Sequence, residues 1–330
     1  MPESPTLESV LKLSRAFMES RILLTAAELN LFALLAPRPL PAEEAARKLR
    51  GNLRAVTILL DALAALGFLE KKEGRYRCLP PALPLLSPGR PGSVLPMVLH
   101  AAHLWERWSH LTEKVAGSEP RSAPPAQQEE ERLRDFIGAM HAIAAPMASR
   151  VVGAVNPGGA RAVLDVGGAS GTYTIAFLLA SPEMKATLFD RPPVIEMARE
   201  RLREAGLLER TVLVPGDFDT DELPGGHDLA FLSAIIHQNR PEENRDLYRK
   251  VFRSLKPGGR IVIRDHIMSP DRTEPVSGAV FAVNMLLATE GGNTYTFEEI
   301  QKDLLEAGFG RIRLIQKGEH MDGLVEGFKP

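Results

Sequence analysis

The chain has 330 residues and a mass of 36.1 kDa, a length that suits two domains, since single domains typically run to about 100–200 residues. Hydrophobic residues make up 44% and charged residues 25%, which is typical of globular rather than disordered proteins. The 40 basic and 42 acidic residues leave a formal net charge of −2. The chain therefore lacks the overall positive field that would attract nucleic acid or an anionic membrane.

The cysteine content and the N-terminus narrow the class of protein further. The one cysteine, Cys78, excludes an intrachain disulfide and a cysteine-rich zinc site, and the histidines and carboxylates show no metal-ligand spacing. The N-terminus lacks the basic region and apolar core of a signal peptide. No run of about 18 apolar residues predicts a membrane span. We therefore expect a cytoplasmic protein with no membrane partner and no bound metal.

The first ninety residues are rich in Leu and Ala and are predicted to be mostly helical. Apolar residues recur at spacings of three and four over 17–35, which predicts one amphipathic helix or two short ones. Further helices are predicted at Ala42–Leu49 and Leu53–Leu66, followed by a small hairpin around Gly74. Three helices and a β-wing make a winged-helix module, which we assign to residues 1–90.

Winged helices often bind DNA, but the composition of the third predicted helix argues against it here. Leu53–Leu66 carries one basic residue, Arg54, and one acidic residue, Asp61, among mostly apolar ones. A helix that reads a DNA groove needs several polar or basic residues on its exposed face. The apolar surplus favours a surface buried against another chain, and we expect no nucleic-acid partner.

The rest of the chain divides into a helical connector and an α/β region. Residues 91–155 form the predicted connector, with helices over 94–115 and 129–155 and a polar, Pro-rich loop at 118–128 between them. From residue 156 to the C-terminus, short β-branched runs alternate with helical stretches, which predicts a parallel sheet covered by helices on both faces. The predicted strands are 162–166, 186–190, 211–214, 229–233 and 260–264. Such sheets bind ligands beyond the C-terminal ends of their strands.

A glycine-rich loop follows the first of these strands. Gly167, Gly168 and Gly171 in the segment LDVGGASG permit a tight turn and let a ligand approach the backbone. Their spacing differs from the dinucleotide-binding fingerprint, and the loop lacks the Gly-Lys-Ser/Thr of a phosphate-binding loop. The loop therefore suits a nucleoside without phosphates.

Acidic residues stand at the ends of the next two predicted strands. Asp190 ends the second strand, where an acid accepts both hydroxyls of a ribose. The third strand is followed by Gly216-Asp217-Phe218, in which the carboxylate suits an adenine amine and the ring suits the flat base. Because the three features lie at successive strand ends, they favour a nucleoside site over an ordinary turn with strand-end acids.

With these motifs the sequence resembles the class I S-adenosylmethionine-dependent methyltransferases. Within them it is similar to the small-molecule O-methyltransferases related to plant caffeate and chalcone enzymes and to bacterial polyketide and pigment methyltransferases. The markers are the N-terminal winged-helix region, LDVGGASG, FDRPPVIE, PGDF, LSAIIHQNRPEE, LKPGGRIVIRD and MLLATEGGNTYTFEEI, which cover nearly the whole chain. The resemblance implies a Rossmann-like α/β sheet, S-adenosylmethionine as the cofactor and a homodimer formed through the winged-helix domains.

The resemblance also implies which residues bind the cofactor. The glycine loop would line its methionine and ribose portions, Asp190 would hold the ribose, and Asp217 with Phe218 would hold the adenine. Ser233 falls where many plant members have a lysine near this ligand. The implied cofactor-binding residues are Asp165, Gly167, Gly168, Gly171, Asp190, Gly216, Asp217, Phe218 and Ser233.

His237 is the predicted general base. The family segment Leu-His-Asp-Trp reads Ile-His-Gln-Asn at residues 236–239, so the histidine is retained while the acid and the tryptophan are replaced. Histidine exchanges protons near neutral pH and would take the proton of a substrate hydroxyl as its oxygen attacks the cofactor's methyl group. The resemblance implies that Asp265 orients this base, while a second family acid is replaced by Thr294. A packed histidine and a structural acid are the alternatives.

Large apolar and flexible side chains predict an acceptor pocket suited to an aromatic or polyene ring. Phe136 and Met140 match the family's Phe-x-x-x-Met pair, which the resemblance implies packs on a flat acceptor. Each such residue taken singly is equally compatible with an ordinary core position. The predicted acceptor-binding residues are Trp105, Phe136, Met140, His141, Phe281, Asn284 and Met285.

The favoured interpretation is an O-methyltransferase that acts on a hydroxyl of an aromatic, quinone, polyketide or pigment-like small molecule. Three alternatives stay open from the sequence. They are a C- or N-methyltransferase or non-methylating relative that uses the same cofactor site, a winged-helix regulator with a cofactor-sensing domain, and a catalytically silent partner subunit.

Overall fold

The structure is a computed structural model, and it describes residues 4–90, 92–118 and 129–330. Most of the Pro-rich loop predicted at 118–128 lies outside the described residues. Within the described part of the chain there are two compact units, the first built from residues of Met1–Ser109 and Arg121–Ile143 and the second from residues of His110–Pro120 and Ala144–Pro330.

Helices predominate before Ala162, and strands and helices follow one another closely from there onward. The helices in chain order are α1 (Leu7–Glu28), α2 (Leu31–Leu35), α3 (Ala42–Leu49), α4 (Leu53–Ala65), α5 (Ala82–Leu85), α6 (Leu95–Trp108), α7 (Leu111–Val115), α8 (Glu129–Ala144), α9 (Ala148–Val155), α10 (Thr172–Ala180), α11 (Pro192–Glu204), α12 (Pro241–Ser254), α13 (Val276–Ala288) and α14 (Phe297–Glu306). The strands are β1 (Leu40–Pro41), β2 (Leu69–Lys72), β3 (Arg75–Cys78), β4 (Ala162–Val166), β5 (Lys185–Asp190), β6 (Thr211–Pro215), β7 (His227–Ser233), β8 (Leu255–Asp265), β9 (Ile267–Met268), β10 (Tyr295–Thr296), β11 (Gly310–Gln316) and β12 (Gly323–Phe328).

Local sequence signals begin and end the helices of the first unit. At the start of α1, the Ser9 N–H donates to Thr6 Oγ1 at 3.1 Å and the Thr6 N–H donates to Ser9 Oγ at 2.9 Å, which is a capping box. Asn52 caps α4 by accepting a backbone N–H. Asn30, in the left-handed conformation with φ of 53°, separates α1 from α2. The apolar pattern over 17–35 therefore spans two helices.

The predicted hairpin is present in the first unit. β2 and β3 pair antiparallel and are joined by Glu73 and Gly74, whose φ values of 51° and 73° suit the two-residue turn that matches strand twist. β1 adds to β3, so the small sheet has the order β1-β3-β2. The helices pack on this sheet around a core of fully buried side chains that includes Leu31, Leu60 and Tyr76.

The second unit is built on a seven-stranded sheet with the order β11-β12-β8-β7-β4-β5-β6. The five strands from β8 to β6 pair parallel, as the alternating pattern predicts. β12 is antiparallel to both β8 and β11, because a short connection joins β11 and β12 as a hairpin. The predicted Rossmann-like α/β fold class is confirmed, with an antiparallel edge that the prediction lacked.

Apolar side chains cover both faces of this sheet, as expected for buried parallel strands. Successive residues of a strand point to opposite faces. Leu229 and Phe231 therefore pack with α9, α10 and α11 on one face, while Ala230 and Leu232 pack with α12 and α14 on the other. The two cores fix the strands so that their C-terminal ends share one edge.

The strand order places a crevice at that edge. β4 is followed along the chain by β5 on one side of it, while β7 pairs with its other side. Connections that leave in opposite directions open a crevice beyond the strand ends, where open α/β sheets bind their ligands. The glycine loop after β4 lies at this switch point.

Among the described residues, no single helix has the length and apolar composition needed to span a membrane, and only the broken pair Arg132–Ala144 with Ala148–Val155 has them when taken together.

We expect the two apolar side chains Phe177 and Leu179 of α10 to contribute very differently to stability. Phe177 is fully buried beside Phe231, whereas Leu179 is 67% exposed. Replacement Phe177→Ala should lower the free energy of unfolding by about 3–5 kcal/mol, and the control Leu179→Ala should change it by about 0.5 kcal/mol or less. Urea titration followed by circular dichroism measures both, and equal losses would contradict the packing described.

Candidate functional site

The first two glycines of the glycine loop lie too close to their neighbours to be replaced by residues with side chains. Gly167 and Gly171 have φ values of 65° and 75°, in the left-handed region that favours glycine. A Cβ on Gly167 would overlap the Ile235 side chain, and one on Gly168 would stand 2.6 Å from Leu188 Cγ. The Gly167 N–H donates to the Phe189 carbonyl at 2.8 Å. The loop is thus pressed onto the ends of β5 and β7.

Asp165 supports the loop from below. Its carboxylate is 1% exposed and accepts the Thr174 hydroxyl at 2.6 Å, which ties β4 to the first turn of α10. Burial raises the pKa of Asp165 to about 6, with a smaller contribution from the charge of Asp190. The sequence predicts a cofactor-binding role, and the contact seen here is with the helix that follows the loop.

Asp190 is half-buried at the end of β5 and is bonded to the same loop. Its Oδ2 accepts the Ala169 N–H at 2.8 Å and its Oδ1 accepts the Arg191 N–H at 2.7 Å. Burial raises the pKa of this carboxyl group, and the two backbone donors oppose that rise. Each oxygen of an ionised carboxylate has a second acceptor position, so both can still accept a diol.

The residues after β6 reach the same crevice. A Cβ on Gly216 would stand 2.5 Å from Phe189 Cζ, so glycine is required there. The Asp217 side chain is exposed and its Oδ1 accepts the Asp219 N–H at 3.0 Å. Phe218 is half-buried, and its Cε1 lies 3.8 Å from the Cβ position of Gly167. The structure therefore brings Phe218 beside the glycine loop.

His237 and Asp265 form a buried pair. His237 lies in the 3₁₀ turn Ile236–Gln238 that follows β7, and Asp265 ends the neighbouring strand β8. His237 Nδ1 is 2.9 Å from both carboxylate oxygens, and the two residues are 8% and 1% exposed. The His266 N–H also donates to Asp265 Oδ1 at 2.8 Å. Because the carboxylate only accepts, Nδ1 carries a proton and Nε2 is the basic nitrogen of the neutral ring.

Three residues stand where the family has others: Gln238 and Asn239, which follow His237, and Thr294. Gln238 is exposed. Asn239 is buried and its amide donates to Asn244 Oδ1 at 3.1 Å, which holds the turn to α12. Thr294 is buried, and its carbonyl accepts from Arg272 Nη1 at 2.6 Å. The contacts of the two buried residues are structural, and neither involves the His237 side chain.

The predicted acceptor-binding residues are divided between the units. Trp105, Phe136, Met140 and His141 belong to the first unit, while Phe281, Asn284 and Met285 lie on α13 of the second. In the first unit, the ring of Phe136 is 5.3 Å from that of His100. In the second, Phe281 packs edge-on against His237 with ring centroids 4.8 Å apart. Phe281, one of the predicted acceptor-binding residues, thus contacts His237, the predicted general base.

Sequence reasoning missed Arg264 and Tyr173. Ser233 Oγ accepts from Arg264 Nη1 at 3.0 Å, and Arg264 lies over the ring of Tyr173. The sequence signal for Arg264 is an arginine within the apolar strand segment IVIRD. Because side chains alternate along a strand, it stands on one face of the sheet among apolar residues.

The described residues contain no group of three His, Cys, Asp or Glu side chains placed to hold a metal ion.

We predict that Asp165→Asn changes how stability depends on pH. Because the folded state raises the pKa of Asp165 from 3.8 to about 6, folding favours its protonated form, and the contribution of this group to the free energy of unfolding falls as the pH rises from about 4 to about 6. The loss is at most about 3 kcal/mol. Asparagine has no such loss, so the free energy of unfolding of the variant should increase relative to that of the wild type over that interval.

Urea titrations of the ligand-free proteins between pH 4 and pH 7.5 measure this difference. The control is Asp246→Asn, whose side chain is 69% exposed, and its stability curve should run parallel to that of the wild type. Parallel curves for Asp165→Asn as well would show that Asp165 is charged throughout the interval.

Comparisons with known proteins identify the family of this chain. Residues 108–310, more than half of the chain, match the family model of the O-methyltransferase domain. Residues 11–82 match the O-methyltransferase dimerisation domain, which supports a homodimer. Family models thus cover parts of both units.

Individual relatives cover nearly the whole chain. It is 32% identical to the 3-hydroxy-5-methyl-1-naphthoate 3-O-methyltransferase of Streptomyces sahachiroi over 96% of this chain and 94% of the relative. It is 30% identical to the N,N-dimethyltransferase OxyT of Streptomyces rimosus over 98% of this chain and 96% of the relative. The solved structure of PigF with S-adenosylhomocysteine (SAH) matches with a TM-score of 0.85 and 26% identity, over 98% of this chain and 100% of that one. The chain therefore belongs to the S-adenosylmethionine-dependent O-methyltransferase family.

Proposed function

We propose that this enzyme transfers the methyl group of S-adenosylmethionine to a hydroxyl of an aromatic, quinone, polyketide or pigment-like small molecule. The His237–Asp265 pair carries this proposal. The bond to Asp265 fixes the tautomer of the His237 ring. His237 stands two residues after Ile235, which packs on the glycine loop. The naphthoate 3-O-methyltransferase relative supports an aromatic hydroxyl as the acceptor.

The residues at the strand ends fit S-adenosylmethionine, which supplies an activated methyl group on a sulfonium. The three glycines of the loop carry no side chains, the loop has no lysine, Asp190 retains acceptor positions for a diol, and the ring of Phe218 lies beside the loop. We assign the ribose to Asp190 and the adenine to Asp217 and Phe218. The full set of proposed cofactor-binding residues is the one given from the sequence: Asp165, Gly167, Gly168, Gly171, Asp190, Gly216, Asp217, Phe218 and Ser233.

His237 acts through its Nε2 atom in this proposal. It accepts the proton of the acceptor hydroxyl as that oxygen becomes the nucleophile, and a general base of this kind contributes about 10²–10⁴-fold to the rate. Asp265 keeps the ring in the required tautomer and stabilises the imidazolium that forms. Phe281 packs edge-on against the imidazole and gives it an apolar contact.

The predicted acceptor-binding residues belong to α6, α8 and α13, and most of them are apolar and flexible. We keep Trp105, Phe136, Met140, His141, Phe281, Asn284 and Met285 as the proposed acceptor-binding residues. An aromatic acceptor suits them because it buries a flat apolar surface against side chains that can adjust their shape.

The first unit serves as the dimerisation module in this proposal, with a winged-helix fold over about residues 1–90. The helix α1 exposes the apolar side chains of Leu7, Val10, Leu11, Leu13, Phe17 and Met18. Contiguous exposed apolar residues usually mark a protein interface. Burial against a second copy explains them better than a DNA groove, which demands basic residues.

N-methylation is the second candidate, because OxyT, an N,N-dimethyltransferase, is 30% identical over nearly its whole length. The buried base favours O-methylation, since a phenol must lose its proton as it is methylated, whereas a neutral amine can attack before losing one. Assays with matched phenols and anilines therefore distinguish the two candidates.

Replacement His237→Ala should lower kcat by about 10²–10⁴-fold while leaving the Kd for SAH within about threefold. Methyl transfer is measured from labelled S-adenosylmethionine to a panel of phenols, hydroxynaphthoates and hydroxyquinones, and mass spectrometry identifies methyl ethers. The control is His227→Ala, which removes a buried histidine from the opposite end of β7 and should retain turnover. Unchanged turnover in His237→Ala would refute the general-base assignment, and wild-type protein inactive on every hydroxyl of the panel would refute O-methylation.

Replacement Gln238→Asp restores the acid of the family segment, and we expect kcat to stay within about threefold of the wild type. The reason is that residue 238 is exposed, whereas His237 already has Asp265 as its carboxylate partner. The same methyl-transfer assay measures this. A gain of tenfold or more would show that the base is incomplete without an acid at position 238.

A further inference from the structure

Arg264 is a buried cation at the C-terminal edge of the sheet. It lies one residue before the end of β8 and is 4% exposed. Its Nη1 donates to Ser233 Oγ at 3.0 Å, its Nη2 donates to Met147 Sδ at 3.2 Å, and its Cζ lies 5.2 Å from the ring centroid of Tyr173. A hydroxyl, a thioether and an aromatic face are weak partners for a full positive charge.

Two polar groups at this place have no hydrogen-bond partner. They are Arg264 Nε and Tyr173 Oη, both buried. Within the described part of the chain, no carboxylate lies within 4.0 Å of the Arg264 guanidinium, whereas Arg260 on the same face of β8 pairs with Glu326. Buried charges are normally paired and buried polar groups normally bonded. The arrangement therefore lacks an anion.

The carboxylates nearest in the fold are already engaged elsewhere. Asp265, the next residue, is bonded to the His237 ring and to the His266 N–H. Asp322 pairs with Arg150 at 3.2 Å and accepts the His320 N–H. Among the described residues of the second unit, no carboxylate thus pairs directly with Arg264, which leaves a place for an anion that these residues do not supply.

The strand order indicates which anion this is. In the proposed function, the adenine lies beyond β6, the ribose beyond β5 and the glycine loop beyond β4. Continuing across the sheet in the same direction leads to Ser233 at the end of β7 and Arg264 at the end of β8. In this orientation the amino-acid end of the cofactor would extend away from the adenine, and its carboxylate would be directed toward these two strands.

We propose that Arg264 binds the α-carboxylate of the cofactor, with the Tyr173 hydroxyl as a second donor. This inference rests on the cofactor orientation in the proposed function. The planar guanidinium matches a carboxylate with two parallel N–H donors. Ser233 is half-exposed, so its hydrogen bond to Nη1 links the buried charge to the accessible edge of the sheet.

The test compares two ligands that share the adenosine and the sulfur atom. SAH carries the amino-acid carboxylate, and 5′-methylthioadenosine does not. Calorimetric titration of the full chain should show that Arg264→Met raises the Kd for SAH by about 10–100-fold, as expected for the loss of a charge-assisted hydrogen bond. The Kd for 5′-methylthioadenosine should stay within about threefold of the wild-type value.

Further variants separate the charge from the packing. Arg264→Lys keeps the charge and should recover part of the SAH affinity, and Tyr173→Phe keeps the ring and should weaken SAH by a smaller factor than Arg264→Met does. The control is Arg210→Met, which removes an arginine that holds the carbonyls of Ser181 and Met184. The ratio of the two Kd values should be unchanged in this control. Circular dichroism checks folding, and Arg264→Lys carries the test if Arg264→Met does not fold.

Equal weakening of both ligands in the Arg264 variants, or an unchanged Kd for SAH, would overturn the proposal. An unchanged ratio with a raised KM for a carboxylate-bearing acceptor would also overturn it, and would assign Arg264 to the acceptor. The proposed function fails by a different result: a wild-type protein that binds SAH but produces no methyl ether. Wild-type protein that binds neither ligand would overturn both.

Discussion

The close approach of the glycine loop to the ends of β5 and β7 is the constraint on which the site depends. Side chains at Gly167 and Gly168 would collide with Ile235 and Leu188, so the loop lies against both strands only because these two residues have none. This contact lines up the strand ends on either side of β4. It therefore places Asp190 on one side of the loop and the His237 turn on the other.

Three acidic residues then fix the backbone and side chains around this loop. Asp165 bonds Thr174 beneath it, Asp190 bonds the Ala169 amide beside it, and Asp265 bonds His237 beyond β7. Each carboxylate is buried or half-buried and each has donors, which offsets the cost of its burial. The crevice is thus preorganised by groups that belong to the sheet rather than to mobile loops, as an efficient site requires.

The sequence was sufficient for the fold class and the positions of the five parallel strands, because short β-branched runs that alternate with helical stretches are local signals. It was sufficient for the family and the cofactor, because the motifs at the strand ends are contiguous segments. It was insufficient where tertiary contacts decide. The helix predicted over 129–155 is broken into α8 and α9, and the β11–β12 hairpin was not anticipated. Arg264 was missed because its significance lies in the partner it lacks, which only the packed structure shows. The cofactor and acceptor residues remain assignments by motif.

The bonding of Asp190 bears on how substitutions in this site are interpreted. Its Oδ2 shapes the loop through the Ala169 amide while the same carboxylate is assigned to the ribose. A variant at this position changes the binding surface and the ligand contact together. Its effect on affinity is therefore not additive with that of a ligand lacking the ribose hydroxyls, and only a cycle that combines both changes yields the coupling energy between carboxylate and diol.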